Sequence, residues 1–168
     1  DKKDVIKNRN LKALVTSGPT REYIDPVRYI SNESSGKQGY EIALALKKLG
    51  VKTKLIIGPS TLTNSKELKI KKITTAKEMM NEVKKSLPVD IAVCAAAVSD
   101  FKPKNKSLNK IKKNYSTLKN IEFEKNPDIL DYLGKHNKNR PRIVVGFSAE
   151  TENVIKNSKT KIKDKYCD

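Results

Sequence analysis

Short apolar runs rich in β-formers alternate with amphipathic helical stripes along nearly the whole chain, and this alternation leaves few folds open. LKALVTS (11–17), VKTKLIIG (51–58), LKIKKI (68–73), VDIAVCAAAV (89–98) and PRIVVGFSAE (141–150) read as strands. Residues 36–49 carry Ile42, Ala45, Leu46 and Leu49 at the i, i+3, i+4, i+7 spacing of a helix, and Gly50 ends it. Thr75 and Glu78 have capping-box spacing ahead of the stripe Ala76, Met79, Met80, Val83 and Leu87, which Pro88 closes. The two methionines read as core. Pro127 is expected at a helix start, and a last helix from about Thr151. Residues 101–116 read as a lysine-rich loop. The pattern predicts an α/β fold: a Rossmann-like, mostly parallel sheet with helices on both faces. No internal repeat is visible.

The 168 residues suffice for one domain with a real core. The expected division is a linker over 1–10 and a single domain over 11–168. The chain starts without Met and stops just past a helical pattern, where a further strand is expected, so it reads as a piece cut short at its C-terminus. No apolar run is long enough to span a bilayer, and no apolar stretch follows the charges of DKKDVIKNRN as a signal peptide requires. Two cysteines, Cys94 and Cys167, are too few for a disulfide scaffold. Cys94, within IAVCAAAV, reads as a buried thiol. A cytoplasmic protein fits these features.

The net charge of +17 invites a nucleic-acid reading. Yet only five of the 36 basic residues are arginine, and aromatics make up 5% with none interleaved among the lysines as stacking platforms. The excess looks compositional, and a small anionic substrate is the better expectation.

Ligands of doubly wound sheets bind outside the carboxyl ends of the strands. Those exits read SGPTRE, IIGPS, AAAVSD and VGFSAE. The first lacks the G-x-G-x-x-G of a dinucleotide fold, and SSGKQG does not match a P-loop. Ser34, Ser35, Gly36 and Lys37 either cradle a phosphate with hydroxyls, backbone N–H groups and a cation, or form an ordinary cap with a surface lysine. Asp100 holds a ribose hydroxyl or a magnesium ion, or caps a loop. KIKK (110–113) by itself reads as solvated loop. His136, the single histidine, sits in the polar stretch GKHNKNR and reads as surface. No Cys/His cluster offers a zinc site, and no G-x-S-x-G supports an α/β-hydrolase.

TSGPTREYIDPVRYISNESSGKQG, AAAVSDFKP, KIKK, KNPDIL and VGFSAETEN stand in the order and spacing of the phosphopantothenoylcysteine synthetase family, and the resemblance runs from about residue 11 to 168. KIKK with KNPDIL resembles the bacterial, CTP-using form. The resemblance implies a ligase of coenzyme A biosynthesis. CTP activates 4′-phosphopantothenate as an acyl-cytidylate, and cysteine then displaces CMP. It implies a homodimer, Mg2+, and an FMN-dependent decarboxylase domain upstream in a longer polypeptide, with neither nucleic acid nor membrane as partner. By position, Lys110 matches the lysine of the activation step, Asn32 the asparagine that holds the acyl-cytidylate, and Arg28 and Ala97 the pantothenate side. Gly18, Ser34, Ser35, Gly36, Lys37, Lys110, Lys113 and Phe147 become nucleotide ligands, and Asn126, Pro127, Asp128 and Ile129 the cytosine and ribose pocket. Asp100 falls at the ribose, with the metal near it. A non-catalytic nucleotide-binding module of the same fold, and a basic RNA-binding domain, are the alternatives.

Overall fold

The computed structural model describes residues 10–62, 66–112, 121–136, 138–149 and 152–168. Lys113, most of the expected linker and the expected helix start at Thr151 lie outside these residues.

Five parallel strands form the central sheet: β1 (Lys12–Ser17), β4 (Lys52–Ile57), β5 (Lys69–Lys72), β6 (Ile91–Cys94) and β9 (Ile143–Gly146), in the order β5-β4-β1-β6-β9. Parallel strands need crossovers, and helices provide them. α1 (Lys37–Lys48) joins β1 to β4, α2 (Ala76–Ser86) joins β5 to β6, α3 (Ile129–Gly134) stands between β6 and β9, and α4 (Val154–Lys165) follows β9. Leu14, Ile56, Ala92 and Val144 pack on one face with Met79, Met80 and Val83 of α2 and with Ile129 and Leu133 of α3. Val15, Leu55, Ile57 and Val93 pack on the other with Ala43 of α1. The sheet is thus covered on both faces, as the sequence predicts, and both methionines are core.

α2 has the predicted cap. Thr75 Oγ1 accepts from Glu78 N at 3.2 Å, and the Glu78 carboxylate accepts from Thr75 N. A second carboxylate serves this helix: Glu22, buried, accepts from Ala76 N at 2.8 Å. α1 sits differently from its predicted stripe. Gly39 and Ala43 are buried, while Ala45 is exposed and Leu49 is 51% exposed. The reason is the closeness of the helix to β1, where a Cβ on Gly39 would lie 2.6 Å from that of Ser17. The contact face is therefore set by the glycine rather than by the largest side chains.

Four further departures lie outside the regular elements of the sheet. The expected strand 89–98 is regular only over Ile91–Cys94, but its exit stays extended beside the exit of β1. Ala95 N donates to Thr16 O (3.1 Å), Ala97 N to Gly18 O (2.9 Å) and Ser99 N to Thr20 Oγ1 (3.0 Å). Residues 101–116 are not simply loop: β7 (Phe101–Pro103) pairs antiparallel with β8 (Phe123–Lys125). A second small hairpin joins β2 (Glu22–Tyr23) to β3 (Tyr29–Ile30). Pro127 does not begin α3. Asp128 is its N-cap, accepting from Asp131 N at 2.9 Å, and Pro127 lies one residue before the cap.

Candidate functional site

Strand order places the site. β1 leaves the sheet toward α1 on one face, and β6 leaves toward α3 on the other. The crevice between two neighbouring strands whose connections diverge in this way is the usual ligand site of an open parallel sheet. Here it is a cleft of about 480 Å3. Thr16 and Cys94 form its floor, Val98 to Phe101 one wall, Lys125 to Asp131 the other, and Phe147, Lys161 and Lys165 its rim.

Two asparagine carboxamides brace the wall formed by the β6 exit. Asn32 Nδ2 donates to Val98 O at 3.0 Å, and Asn126 Nδ2 donates to Ser99 O at 2.8 Å. The Asn126 backbone N–H donates to Asp100 O at 2.8 Å. Residues 94 positions apart in sequence thus hold consecutive carbonyls, and Asp100, exposed, projects just beyond them. Asn126 Oδ1 is buried and has no protein partner. An orphaned acceptor of this kind costs free energy unless a ligand donor or water completes it.

The opposite wall combines charges of both signs. Asp128 accepts from Lys165 Nζ at 2.7 Å, and Lys165 lies 3.5 Å from Asp131, which also binds Lys135 at 2.6 Å. The Lys165 ammonium is held above its ordinary value, first by the Asp128 hydrogen bond and then by both carboxylate charges, against a cost of burial. Asp131 is held below its ordinary value, chiefly by the Lys135 hydrogen bond. Lys161 Nζ donates to Phe147 O at 3.1 Å. Cys94, expected to be buried, is half-buried at the cleft floor. Its sulfur is deep enough that burial pushes the thiol up to about 12, which makes it a poor nucleophile.

The first strand exit is closely packed rather than open. Gly18 and Gly36 adopt φ of +72° and +77°, where a side chain is strained, and a Cβ on Gly36 would stand 3.2 Å from Gly18 Cα. Ser34 Oγ accepts from Gly36 N at 3.2 Å and Ser35 Oγ from Lys37 N at 3.3 Å. Here the two hydroxyls satisfy the helix entry itself. Lys37 is exposed, and neither Ser34, Ser35, Gly36, Lys37 nor Gly18 lines the cleft. Ala97 is tied to Gly18, between the cleft-lining Ala96 and Val98.

Arg28 and Lys110 come together elsewhere, around a shallower depression that Ile111 and Lys112 complete. So Asn32, Asp100, Asn126, Pro127, Asp128, Ile129 and Phe147 converge on the cleft or brace its wall, whereas Arg28 and Lys110 line the separate depression. His136 lies away from both, edge-on to Tyr132 at 5.1 Å, its Nδ1 accepting from Asn139 N. No group of three His, Cys, Asp or Glu side chains able to enclose a metal occurs among the described residues. A single carboxylate such as Asp100 nevertheless suits Mg2+, which is commonly held by one or two carboxylates together with substrate phosphates. Sequence reasoning missed Lys161 and Lys165, because lysines on a helix with no buried residue look like solvated surface, and it missed the buried Asp25 and Glu22.

The family described as the DNA/pantothenate metabolism flavoprotein C-terminal domain matches residues 8–168. The coenzyme A biosynthesis bifunctional protein CoaBC of Borreliella burgdorferi is 44% identical over 170 aligned positions, covering 100% of this chain and 43% of that protein. CoaBC of Haemophilus influenzae is 41% identical over 161, covering 95% and 40%. The chain therefore spans less than half the length of these relatives. Among solved structures, the crystal structure of a CoaBC C-terminal domain superposes with a TM-score of 0.80 at 35% identity, over 95% of this chain and 74% of that one. A Cab2 mutant in complex with phosphopantothenate-cysteine shares the fold, with a TM-score of 0.69 at 17% identity over 96% of this chain and 72% of that one.

Proposed function

The chain belongs to the DNA/pantothenate metabolism flavoprotein C-terminal domain family, and from that membership we propose that it joins 4′-phosphopantothenate to L-cysteine at the expense of CTP. The observation that carries the reading is the cleft at the switch point, where Asn32 and Asn126 brace the turn that presents Asp100. A nucleotide laid between that turn and α3 meets donors and acceptors on one side and lysines on the other.

In the first step, a pantothenate carboxylate oxygen attacks the α-phosphorus of CTP. The bond to the bridging oxygen breaks, and pyrophosphate leaves. Two polyanions must meet, so cations near the reacting phosphate lower the barrier. Lys110 neutralises the charge growing there, with Arg28 beside it on the pantothenate side. In the second step, the cysteine amine attacks the acyl carbon, the acyl–oxygen bond breaks, and CMP leaves. Asn32 steadies the acyl-cytidylate through that attack. Holding the reactants in line supplies much of the rate. Asp100 would hold Mg2+ together with the CTP phosphates, and the ion would offset their charge. At the α1 entry the exposed Lys37 offers a phosphate its cation, and Ser34, Ser35 and Gly36 shape the turn that presents it. The protein acts as a cytoplasmic homodimer beside an FMN-dependent decarboxylase domain, in keeping with relatives that are named bifunctional.

Mass spectrometry of the protein with CTP, Mg2+ and 4′-phosphopantothenate, without cysteine, tests the reading. The expected products are an acyl-cytidylate and pyrophosphate, with the adduct converting to CMP and amide when cysteine is added. A folded sample that binds CTP but forms no adduct overturns the ligase in favour of a binding module. Steeply salt-dependent binding of any long polyanion, without CTP turnover, overturns it in favour of an RNA-binding domain.

A further inference from the structure

Asp25 is fully buried, and its partners among the described residues belong to two short segments. Its Oδ1 accepts from Val27 N at 2.9 Å and from Arg28 N at 2.8 Å, closing the turn between β2 and β3. Its Oδ2 accepts from Ile111 N at 3.2 Å and pairs with Arg28 Nη2 at 3.0 Å. The same Arg28 nitrogen donates to Ile111 O. Two side chains of one turn therefore grip both the N–H and the C=O of a single residue 86 positions away. A third tie runs parallel, from Ser107 N to Ile24 O at 2.9 Å. Burial by itself discourages the Asp25 charge. The backbone donors Val27, Ile111 and Arg28, with the guanidinium, outweigh it and hold the carboxyl below its ordinary value.

The residue gripped in this way is the neighbour of Lys110. A lysine is a point charge on a flexible stem, and its usefulness at a phosphate depends on where its backbone is fixed. We propose that Asp25 is a positioning residue: with Arg28 it clamps Ile111 and thereby sets Lys110 for the nucleotide activation step. This rests on the reading of Lys110 given above. It also assigns Arg28 a second duty, because its Nη2 is already turned toward Asp25 and Ile111.

The experiment is a double-mutant cycle on the cysteine-independent step, read as pyrophosphate release with CTP and 4′-phosphopantothenate. Asp25→Asn keeps the size of the side chain but removes its charge and one acceptor. It is expected to slow that step by about a hundredfold, the scale of a misplacement of roughly 1 Å. CMP release from preformed acyl-cytidylate plus cysteine is expected to slow much less, since Lys110 has no part in it and only the fixing of Arg28 is lost. With Lys110→Gln already present, Asp25→Asn is expected to cost little more, because the clamp then has nothing to position. Equal losses from Asp25→Asn with and without Lys110 overturn the proposal, as does equal slowing of both steps. Should Asp25→Asn fail to fold, replacing the Ile111 amide by an ester removes only the N–H that Asp25 accepts, and the same pattern is expected. Wild-type protein that forms no acyl-cytidylate refutes the ligase reading itself. Turnover by the wild type with additive losses refutes the clamp alone.

Discussion

The turn at residues 24–28 and the cleft wall at residues 125–131 both place carboxylates beside a strand exit, but they use them in opposite ways. Asp25 is fully buried and saturated by the protein: three backbone donors and a guanidinium converge on it. On the cleft wall Asp128 is 48% exposed, and Asn126 keeps a buried acceptor with no protein partner. In one region polar groups are spent on holding backbone. In the other, one is kept back. Buried polar groups that a fold leaves unpaired point to where a ligand or water completes the structure, and on that criterion the cleft is the binding side and the turn its support.

The sharpest way to break this contrast is Asn126→Ala. If Oδ1 serves a ligand, calorimetric CTP affinity falls by about tenfold, the worth of one hydrogen bond to a buried group, in addition to the roughly 1 kcal/mol of stability lost with the Ser99 O bond. If stability falls and CTP affinity does not, Asn126 belongs with Asp25 as a structural tie through Ser99 O, and the contrast fails.

Glu22 tests the supporting side. Its buried carboxylate accepts from Ala76 N at the first turn of α2, in addition to the Thr75–Glu78 capping box. Glu22→Ala leaves that N–H without its partner and is expected to cost about 1–2 kcal/mol in urea unfolding. CTP affinity, corrected for the folded fraction, should be unchanged. A loss of affinity without loss of stability would show that the β1 exit takes part in binding directly.

The contrast also explains what was legible in the sequence. The sheet, its helices and the α2 cap follow from apolar periodicity and from cap residues, which act over a few positions. The α1 face did not, because Gly39 controls it through contact with Ser17 rather than through hydrophobicity. The β7–β8 pairing was hidden because Phe101 and Phe123, 51% and 50% exposed, sit among charged residues, lysines at one and glutamates at the other, in stretches that read as polar. Asp100 stood out at a strand exit, but Asn32 and Asn126 could be named only through the family's motifs. Their convergence depends on hydrogen bonds to Val98 O, Ser99 O and Asp100 O across long sequence separations. Asp25 gave no local signal, since an aspartate before proline looks like any turn residue.

The smallest effect expected separates the two kinds of carboxylate by pH. Lys165 binds Asp128 and Asp131 with its side chain 29% exposed and theirs 48% and 32%. Pairs as open as these contribute about 0.2–1 kcal/mol each, so Lys165→Gln should cost less than about 1 kcal/mol near neutrality, and less still in high salt. Its folded value is raised, so the contribution is fully present below the unfolded lysine value and fades as pH rises through the folded one. Stabilities of wild type and variant should therefore converge at high pH. Asp25 behaves with the opposite sign. Its folded value is lowered, so its contribution is present above the unfolded carboxylate value and is lost as pH falls through the folded one. Asp25→Asn should flatten the acid limb of the stability profile, whereas Lys165→Gln should alter the alkaline limb most and flatten the acid limb only slightly, through the part of the Asp131 lowering that Lys165 supplies. If Lys165→Gln instead flattens the acid limb as much as Asp25→Asn does, Asp131 depends on that lysine more than its exposure implies, and the cleft wall is held as firmly as the turn.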